Sequence, residues 1–173
     1  MSEDATPEYD HEELGLVAWL EIHQQLDTEA KLFCDSPTTE RDPGDAEREL
    51  TRRLHPTKSE LGELDDAAME ESRVDREFTY RAYDTTCLVE EDDEPPRRGD
   101  DEALAVALQI ADLLDLSVVE QAHVMRKLVI DGSNTSGFQR SILLGQDGEI
   151  ETESGSVSVV DLMLEEESAK RVE

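Results

Sequence analysis

The sequence predicts an α+β domain. Apolar residues recur at helical spacing between residues 102 and 114. They alternate with polar residues at 138–144 and again at 155–164, as in strands that bury one face. A mixture of helices and antiparallel-looking strands is typical of the α+β class. The 173 residues are enough for one domain of ordinary size.

The positions of Gly and Pro and the spacing of apolar residues predict the order of the secondary-structure elements. The first half should contain a disordered acidic tail (1–13), a strand-like run (14–26), a loop (35–44), a weak helix (45–54), a second helix (63–75) and a strand (77–90). The second half should contain a loop (90–101), a helix (102–114), a short helical connection (118–124), a strand-like stretch (126–131), a polar turn (132–137), a strand (138–144), a hairpin turn (146–149) and a last strand (155–164).

The amount and distribution of charged residues distinguish between three classes of acidic protein. The chain has 45 Asp and Glu against 16 Lys and Arg, a formal net charge of -29. A disordered acidic tail would concentrate acids in blocks, and a nucleic-acid mimic would present them as a stripe. Here the acids are scattered among apolar positions, and only four of the basic residues are Lys. This pattern predicts a folded surface adapted to high salt, where carboxylate repulsion is screened.

The two cysteines and the hydropathy pattern point to a reducing cytoplasm. Cys34 and Cys87 make neither a disulfide framework nor a zinc signature, so we do not expect zinc. No apolar run reaches the roughly 18 residues of a membrane span, and no signal peptide opens the chain.

Three groups of polar residues could carry chemistry. Glu21 and His23 would share one face of a strand, where they could bind a divalent ion or relay a proton. Residues 129–140 place hydroxyls and an amide between two glycines, a loop that could hold a phosphate or a carbonyl group. Residues 165–167 are three adjacent carboxylates, the ligand type of Mg²⁺. Each also has a plain interpretation as a solvated strand face, a connecting loop or a chance acidic triplet.

Four segments together resemble one family. Residues 20–28 and 31–34 are similar to the opening of the B and E subunits of glutamyl-tRNA(Gln) amidotransferases. Residues 87–96, with an acidic stretch and a double proline, look like the archaeal E type, and residues 164–170 resemble the Leu-Glu-Glu-Asp-Ala-rich segment of the family. Residues 124–140 are the most specific match. The segments occur in the family's order across nearly the whole chain, and the acidic composition matches a haloarchaeal member.

The resemblance implies a fold and a reaction. The fold would be the glutamine synthetase-like catalytic domain, with residues 14–173 as its N-terminal part and the remaining catalytic, inserted and tRNA-binding domains absent. The family uses ATP and Mg²⁺ to phosphorylate the glutamate of Glu-tRNA(Gln). Ammonia from the amidotransferase D subunit then displaces the phosphate and gives Gln-tRNA(Gln).

The resemblance also implies site residues. His23 and Glu165 would be the main metal ligands, expected within about 6 Å of each other, with Glu21 and Glu166 next. The pocket would be lined by Arg126, Lys127, Asp131, Ser133, Asn134 and Ser136.

The sequence departs from the family pattern at three places, none of them a predicted metal ligand, and two alternative functions stay open beside the resemblance. Trp19 stands where the family usually has Gly, Ser36 replaces a second Cys of some relatives, and Glu167-Ser168 replaces a more usual Asp-Ala. The chain could be a non-catalytic acidic interaction module or an inactive fragment, and it could also be a free-standing phosphotransferase acting on another carboxylate. Continuation of the coding region and binding of ATP with Mg²⁺ distinguish these hypotheses.

Overall fold

The computed structural model describes residues 14–15, 17–56, 62, 69–70 and 76–172. Within these ranges the chain forms two antiparallel sheets, one α-helix with both ends described and a short 3₁₀ helix (Pro43–Asp45), which confirms the α+β class. No helix in this part of the chain is long and apolar enough to cross a membrane. The tail predicted at 1–13 and most of the helix predicted at 63–75 lie outside the described residues.

The smaller sheet is a pair of short strands. β1 (Arg48–Arg52) pairs antiparallel with β2 (Phe78–Ala82), so that Leu50 lies opposite Tyr80. The helix predicted at 45–54 is therefore wrong. Its weak periodicity was outweighed by a partner strand distant in the sequence, which supplies the backbone hydrogen bonds. The strand predicted at 77–90 ends early, because the chain turns after Ala82 and the Thr86 amide donates to the Tyr83 carbonyl at 3.0 Å.

The larger sheet is built around one long strand. β5 (Phe138–Thr152) pairs along one side with β3 (Ser117–Val118) and β4 (Val124–Leu128), and along the other with β6 (Gly155–Glu165). The strands predicted at 126–131, 138–144 and 155–164 are thus confirmed in kind. The helical connection predicted at 118–124 is wrong, because residues 119–123 are irregular.

The hairpin turn lies later than predicted. β5 continues through residues 146–149, although Asp147 has a φ of +56°, and the chain reverses between Thr152 and Gly155, where Gly155 has a φ of +126°. Gly148 has a different role from the predicted turn. A Cβ on Gly148 would lie 2.4 Å from the Leu114 carbonyl oxygen, so the missing side chain allows the strand to approach the helix end.

The helix α1 (Asp101–Leu113) covers one face of the larger sheet. It begins at Asp100, whose carboxylate accepts a hydrogen bond from the Ala103 amide at 2.8 Å. Ala103 and Ala107 are buried with Leu144 and Leu164 of the sheet, and such small residues allow helix and strands to pack closely. Leu113, the last residue of α1 and part of its apolar periodicity, is 81% exposed.

A second apolar cluster joins the loops to the sheet. Phe33, Cys34 and Val89 are buried together, and Ile142 of β5 packs against them. This cluster holds the turn at residues 31–37 against the turns that follow β2.

The strand predicted at 14–26 is wrong within the described residues. Residues 17–28 have no strand pairing, and the apolar side chains of 17–22 are exposed, with Trp19 90% exposed, whereas Leu26 packs against the core cluster of α1 and the larger sheet. Alternation alone does not make a strand, because the backbone groups need a partner.

Candidate functional site

The loop between β4 and β5 is a closed polar turn. The Val129 amide donates to the Gly137 carbonyl at 3.0 Å, which brings the two strand ends together. Gly132 has a φ of +94°, and a Cβ there would lie 2.4 Å from the Phe78 ring. Glycine is therefore required for both the backbone conformation and the space. The predicted turn at 132–137 is confirmed.

Hydrogen bonds inside the loop fix its polar side chains. Asp131 Oδ1 accepts from the Ser133 amide at 2.9 Å and from the Ser133 hydroxyl at 2.7 Å. The Ser136 hydroxyl donates to the Phe138 carbonyl at 2.8 Å. Asp131 is exposed and the two serines are half-buried. These three side chains therefore remain within reach of a ligand.

Asn134 lies below the loop surface instead. Its side chain is 2% exposed, and its Oδ1 accepts from the Ser168 hydroxyl at 2.8 Å. The Tyr80 hydroxyl donates to the Asn134 carbonyl at 3.3 Å. Burial, followed by the nearby Asp131 charge, raises the pKa of Tyr80 to about 12, so this hydroxyl keeps its proton. Asn134 thus shapes the loop from inside.

The basic residues of β4 flank the loop on opposite faces of the sheet. Arg126 lies opposite Arg140 of β5, and its guanidinium is 5.5 Å from the centre of the Phe138 ring. Lys127 points to the other face and approaches Glu21 at 3.9 Å. Both cations are exposed. They provide positive charge next to the loop in an otherwise strongly acidic chain.

Arg140 and Glu166 form a buried ion pair on the helix-covered face. The Arg140 guanidinium donates to both Glu166 carboxylate oxygens, at 2.8 and 3.0 Å, and each side chain is about 10% exposed. Burial raises the pKa of the Glu166 carboxyl, while Arg140 opposes this shift. No local pattern in the sequence indicates this pair, because the two residues are separated by a whole hairpin.

The four predicted metal ligands are not gathered at one point. His23 Nε2 lies 3.0 Å from Glu21 Oε1, and both side chains are exposed. Glu165 accepts a hydrogen bond from the Ser141 hydroxyl at 2.7 Å, and Glu166 is engaged by Arg140. Within the described part of the chain, no third carboxylate joins His23 and Glu21 in a three-ligand cluster.

Strand register nevertheless separates these ligands by face. Ser141 lies between Met125 and Glu165 across three strands, and Lys127 is two residues from Met125. Cross-strand partners and residues two apart share a face. Glu165 therefore lies on the face of Lys127, where Glu21 makes its contact, whereas Glu166 binds Arg140 on the opposite face. Oxygen ligands of the kind Mg²⁺ prefers are thus present at Glu21 and Glu165, but they do not form a complete set.

Comparison with known proteins decides the family. The family model described as "GatB/GatE catalytic domain" matches residues 16–173. The chain belongs to the GatB/GatE family. The resemblance seen in the sequence is thereby confirmed, and the match includes the loop and the basic strand described above.

Similar proteins include glutamyl-tRNA(Gln) amidotransferase E subunits from several organisms. The chain is 73% identical over 165 residues to the glutamyl-tRNA(Gln) amidotransferase E subunit of Natronomonas pharaonis, covering 95% of the chain and 27% of that protein. The E subunit of Haloarcula marismortui is 68% identical over 166 residues, covering 96% and 27%. That of Methanosarcina acetivorans is 53% identical over 165 residues, covering 95% and 26%. The chain thus spans about a quarter of the length of these relatives.

Proposed function

We propose that the chain forms part of the catalytic domain of an ATP-dependent amidotransferase subunit that converts Glu-tRNA(Gln) to Gln-tRNA(Gln). The family match over residues 16–173 carries this proposal, since it includes the loop between β4 and β5 and both predicted metal-binding segments. The names of the relatives in all three archaea agree with it. Partners would be the amidotransferase D subunit, as the source of ammonia, and Glu-tRNA(Gln).

The proposed reaction has two steps. A carboxylate is a poor acyl electrophile, so the γ-carboxylate of the tRNA-bound glutamate first receives the γ-phosphoryl group of ATP. Ammonia then attacks the acyl carbon and inorganic phosphate leaves. Mg²⁺, when bound, neutralises charge on the phosphates during transfer.

The positions of these residues indicate the role that each would have in the proposed reaction. Lys127 and Arg126 are the exposed cations beside the loop, so they would attract phosphate oxygens. Asp131, Ser133 and Ser136 present polar groups at the loop surface and would orient the substrate. Glu21, His23 and Glu165 would each contribute to Mg²⁺ binding on the face of Lys127, together with ligands that the described residues do not supply.

The proposal is tested by amidation of Glu-tRNA(Gln) with the full-length protein and its D subunit. Ser133→Ala should lower turnover while leaving the unfolding transition nearly unchanged, because the Ser133 hydroxyl is half-buried and bonds only within its loop. Ser154→Ala, in the exposed hairpin turn, is the matched control and should retain full activity. Asn134→Ala should instead lower stability as well, because its side chain is buried. Normal turnover of the Ser133 variant would contradict the assigned role of the loop.

A second experiment examines the metal-binding residues. His23→Ala in the full-length protein should abolish formation of the phosphorylated glutamate, while the glutaminase activity of the D subunit continues. His55→Ala is a suitable control, since His55 follows β1 and is not among the predicted ligands. Phosphorylation at the normal rate in the His23 variant would exclude this imidazole as a necessary ligand.

A further inference from the structure

Residues 121–146 differ in charge from the rest of the chain. This segment runs through β4, the loop and the first half of β5, and it contains a single acidic residue, Asp131. It also contains three basic residues, Arg126, Lys127 and Arg140, whereas the whole chain has 45 acidic residues among 173. The segment is therefore a gap in a chain whose overall charge repels anions.

Arg126 is the cation of this segment that no carboxylate neutralises. It is exposed, and within the described part of the chain it forms no ion pair. By contrast, Arg140 is buried against Glu166, and Lys127 approaches Glu21 at 3.9 Å. The positive charge of Arg126 is therefore available to a ligand.

The Arg126 side chain is held in place while its hydrogen-bond donors stay free. The central carbon of its guanidinium lies 5.5 Å from the centre of the Phe138 ring, at the distance of a cation–π contact. Attraction to an aromatic ring does not consume the N–H groups that bind oxygen atoms. Among the described residues, no acceptor receives a hydrogen bond from them. A planar guanidinium of this kind can bind two oxygen atoms of one phosphate at once.

The strand β4 carries this arginine at an edge of the larger sheet. It pairs with β5 on one side, and no strand among the described residues pairs with its other side. Register places Arg126 on the same face as Arg140, whereas Lys127 lies on the opposite face with Glu21 and Glu165. An extended ligand that crosses this edge can therefore contact both faces of the sheet.

We propose that Arg126 binds a backbone phosphate of the tRNA close to its 3′ end, while Lys127 serves the nucleotide on the opposite face. The inference rests on the proposed amidotransferase function, in which the reacting glutamate is attached to the 3′-terminal ribose of the tRNA. The last nucleotides must then lie beside the carboxylate that reacts on the Lys127 face. Their phosphodiester chain crosses the edge at β4, which contains no acidic residue and so allows a polyanion to approach.

An arginine suits a phosphate contact in concentrated salt. At 1 M ionic strength the Debye length is only about 3 Å, so attraction between distant charges is screened. A bidentate hydrogen bond acts at contact distance and adds a geometric requirement that a point charge lacks. Single-stranded RNA ends present accessible phosphates for such a contact. The affinity should therefore depend on the guanidinium itself as well as on its charge.

The test compares use of tRNA with use of ATP by the full-length protein and its D subunit, at KCl concentrations that keep the protein folded. Arg126→Gln should raise the KM for Glu-tRNA(Gln) by about 5–10-fold and leave the KM for ATP within about twofold. Lys127→Gln should do the reverse. Arg98→Gln is the matched control, because Arg98 is an exposed arginine already paired with Asp101, and it should leave both constants unchanged.

The salt dependence of tRNA binding distinguishes a phosphate contact from a structural role. The slope of log Kd against log KCl concentration should fall by about 0.7 in Arg126→Gln, the amount expected when one contact to a single-stranded phosphate is lost. Arg126→Lys should keep the wild-type slope and bind with intermediate affinity, since it retains the charge without the planar donors. A variant that only folded less well would bind less tRNA per chain with an unchanged slope.

The possible outcomes separate this inference from the proposed function. Wild-type amidation, together with an unchanged tRNA KM and an unchanged slope in Arg126→Gln, would overturn the inference alone. A raised KM for ATP in that variant, with normal tRNA constants, would assign Arg126 to the nucleotide and would overturn it as well. Absence of amidation by the wild-type protein with its D subunit would contradict the proposed function and the inference that rests on it.

Discussion

Arg140 connects several parts of the candidate site. It forms an ion pair with Glu166 and lies opposite Arg126 in the β4–β5 ladder. The central carbon of its guanidinium lies 5.2 Å from the centre of the Phe138 ring. A charge so deeply buried is tolerated only because its partner is fixed in place. Breaking such a pair from one side leaves an uncompensated buried charge.

We therefore expect Arg140→Met to destabilise the fold by about 3–5 kcal/mol in chemical denaturation. Arg98→Met is the matched control, because the Arg98–Asp101 pair is exposed and should contribute at most about 1 kcal/mol. Equal losses of unfolding free energy in the two variants would show that the buried Arg140–Glu166 pair contributes no more to stability than an exposed pair.

Gly132 provides a second prediction at the level of single residues. Gly132→Ala adds a Cβ that would meet the Phe78 ring, and it also strains a backbone with φ of +94°. We expect a loss of at least about 1–3 kcal/mol and reduced amidation, because the displaced loop carries Ser133. Gly44→Ala, with nothing within 4 Å of the added Cβ, should change stability by about 0.5 kcal/mol or less. A Gly132 variant as stable as the Gly44 variant would contradict this view of the loop.

The site could be predicted from the sequence only where neighbours along the chain define it. The turn at residues 132–137 has two glycines and adjacent polar groups, so its nature is visible locally. The burial of Asn134 is not visible, because Ser168 and Tyr80 come from distant segments. The approach of Cys34 to Cys87 is hidden for the same reason, since it depends on how two separate turns pack.

At the scale of elements, α1 shows how a capping residue in the sequence determines where a helix begins. The Asp100 side chain accepts a hydrogen bond from the Ala103 amide. The acidic residues of the first turn interact favourably with the positive end of the helix dipole. The sequence located this helix within one residue at each end. Its alanines then pack against β5 and β6, so the helix start also sets the position of the sheet.

Asp100→Ala should cost about 0.5–2 kcal/mol of unfolding free energy, because one amide at the helix start loses its partner. Asp100→Asn should recover most of this loss, since its side-chain oxygen can accept the same hydrogen bond. The comparison uses denaturant midpoints at constant salt. If the Asn variant were as unstable as the Ala variant, the cap would not be the cause.

Strands were predicted less well than the helix, and the reason is physical. A strand is stabilised by its neighbours, so residues 17–28, which alternate well, form no ladder, while residues 48–52, which alternate poorly, form β1. The same dependence explains the misplaced turn. Residues 146–149 have the composition of a hairpin turn, yet continuous pairing with β6 and the close approach of Gly148 to Leu114 keep them within β5.

At the scale of the whole molecule, charge dominates over packing. The buried apolar residues form small clusters, whereas the formal net charge is -29 over 173 residues. The exposed ion pairs, such as Lys170 with Glu40 at 2.9 Å, use basic residues that this total already counts, so they leave the excess of acids unchanged. Repulsion among carboxylates therefore opposes the compact state unless salt screens it.

Folding should consequently depend on salt. The Debye length is about 10 Å at 0.1 M and about 3 Å at 1 M ionic strength, so repulsion between surface acids falls steeply over this interval. Circular dichroism between about 0.1 M and 3 M KCl should show helix and strand signals that grow with salt. Equal structure at both ends would contradict salt adaptation.

Two variants separate charge screening from a general effect of salt on apolar burial. Replacing Glu149, Glu151 and Glu153 by Gln removes three exposed acids from one hairpin and should lower the KCl concentration needed for folding. Leu164→Ala removes a buried side chain and should cost about 2–5 kcal/mol at every salt concentration. Because high salt also strengthens apolar burial, a salt midpoint unmoved by the three Gln substitutions would assign the dependence to the core rather than to the acidic surface.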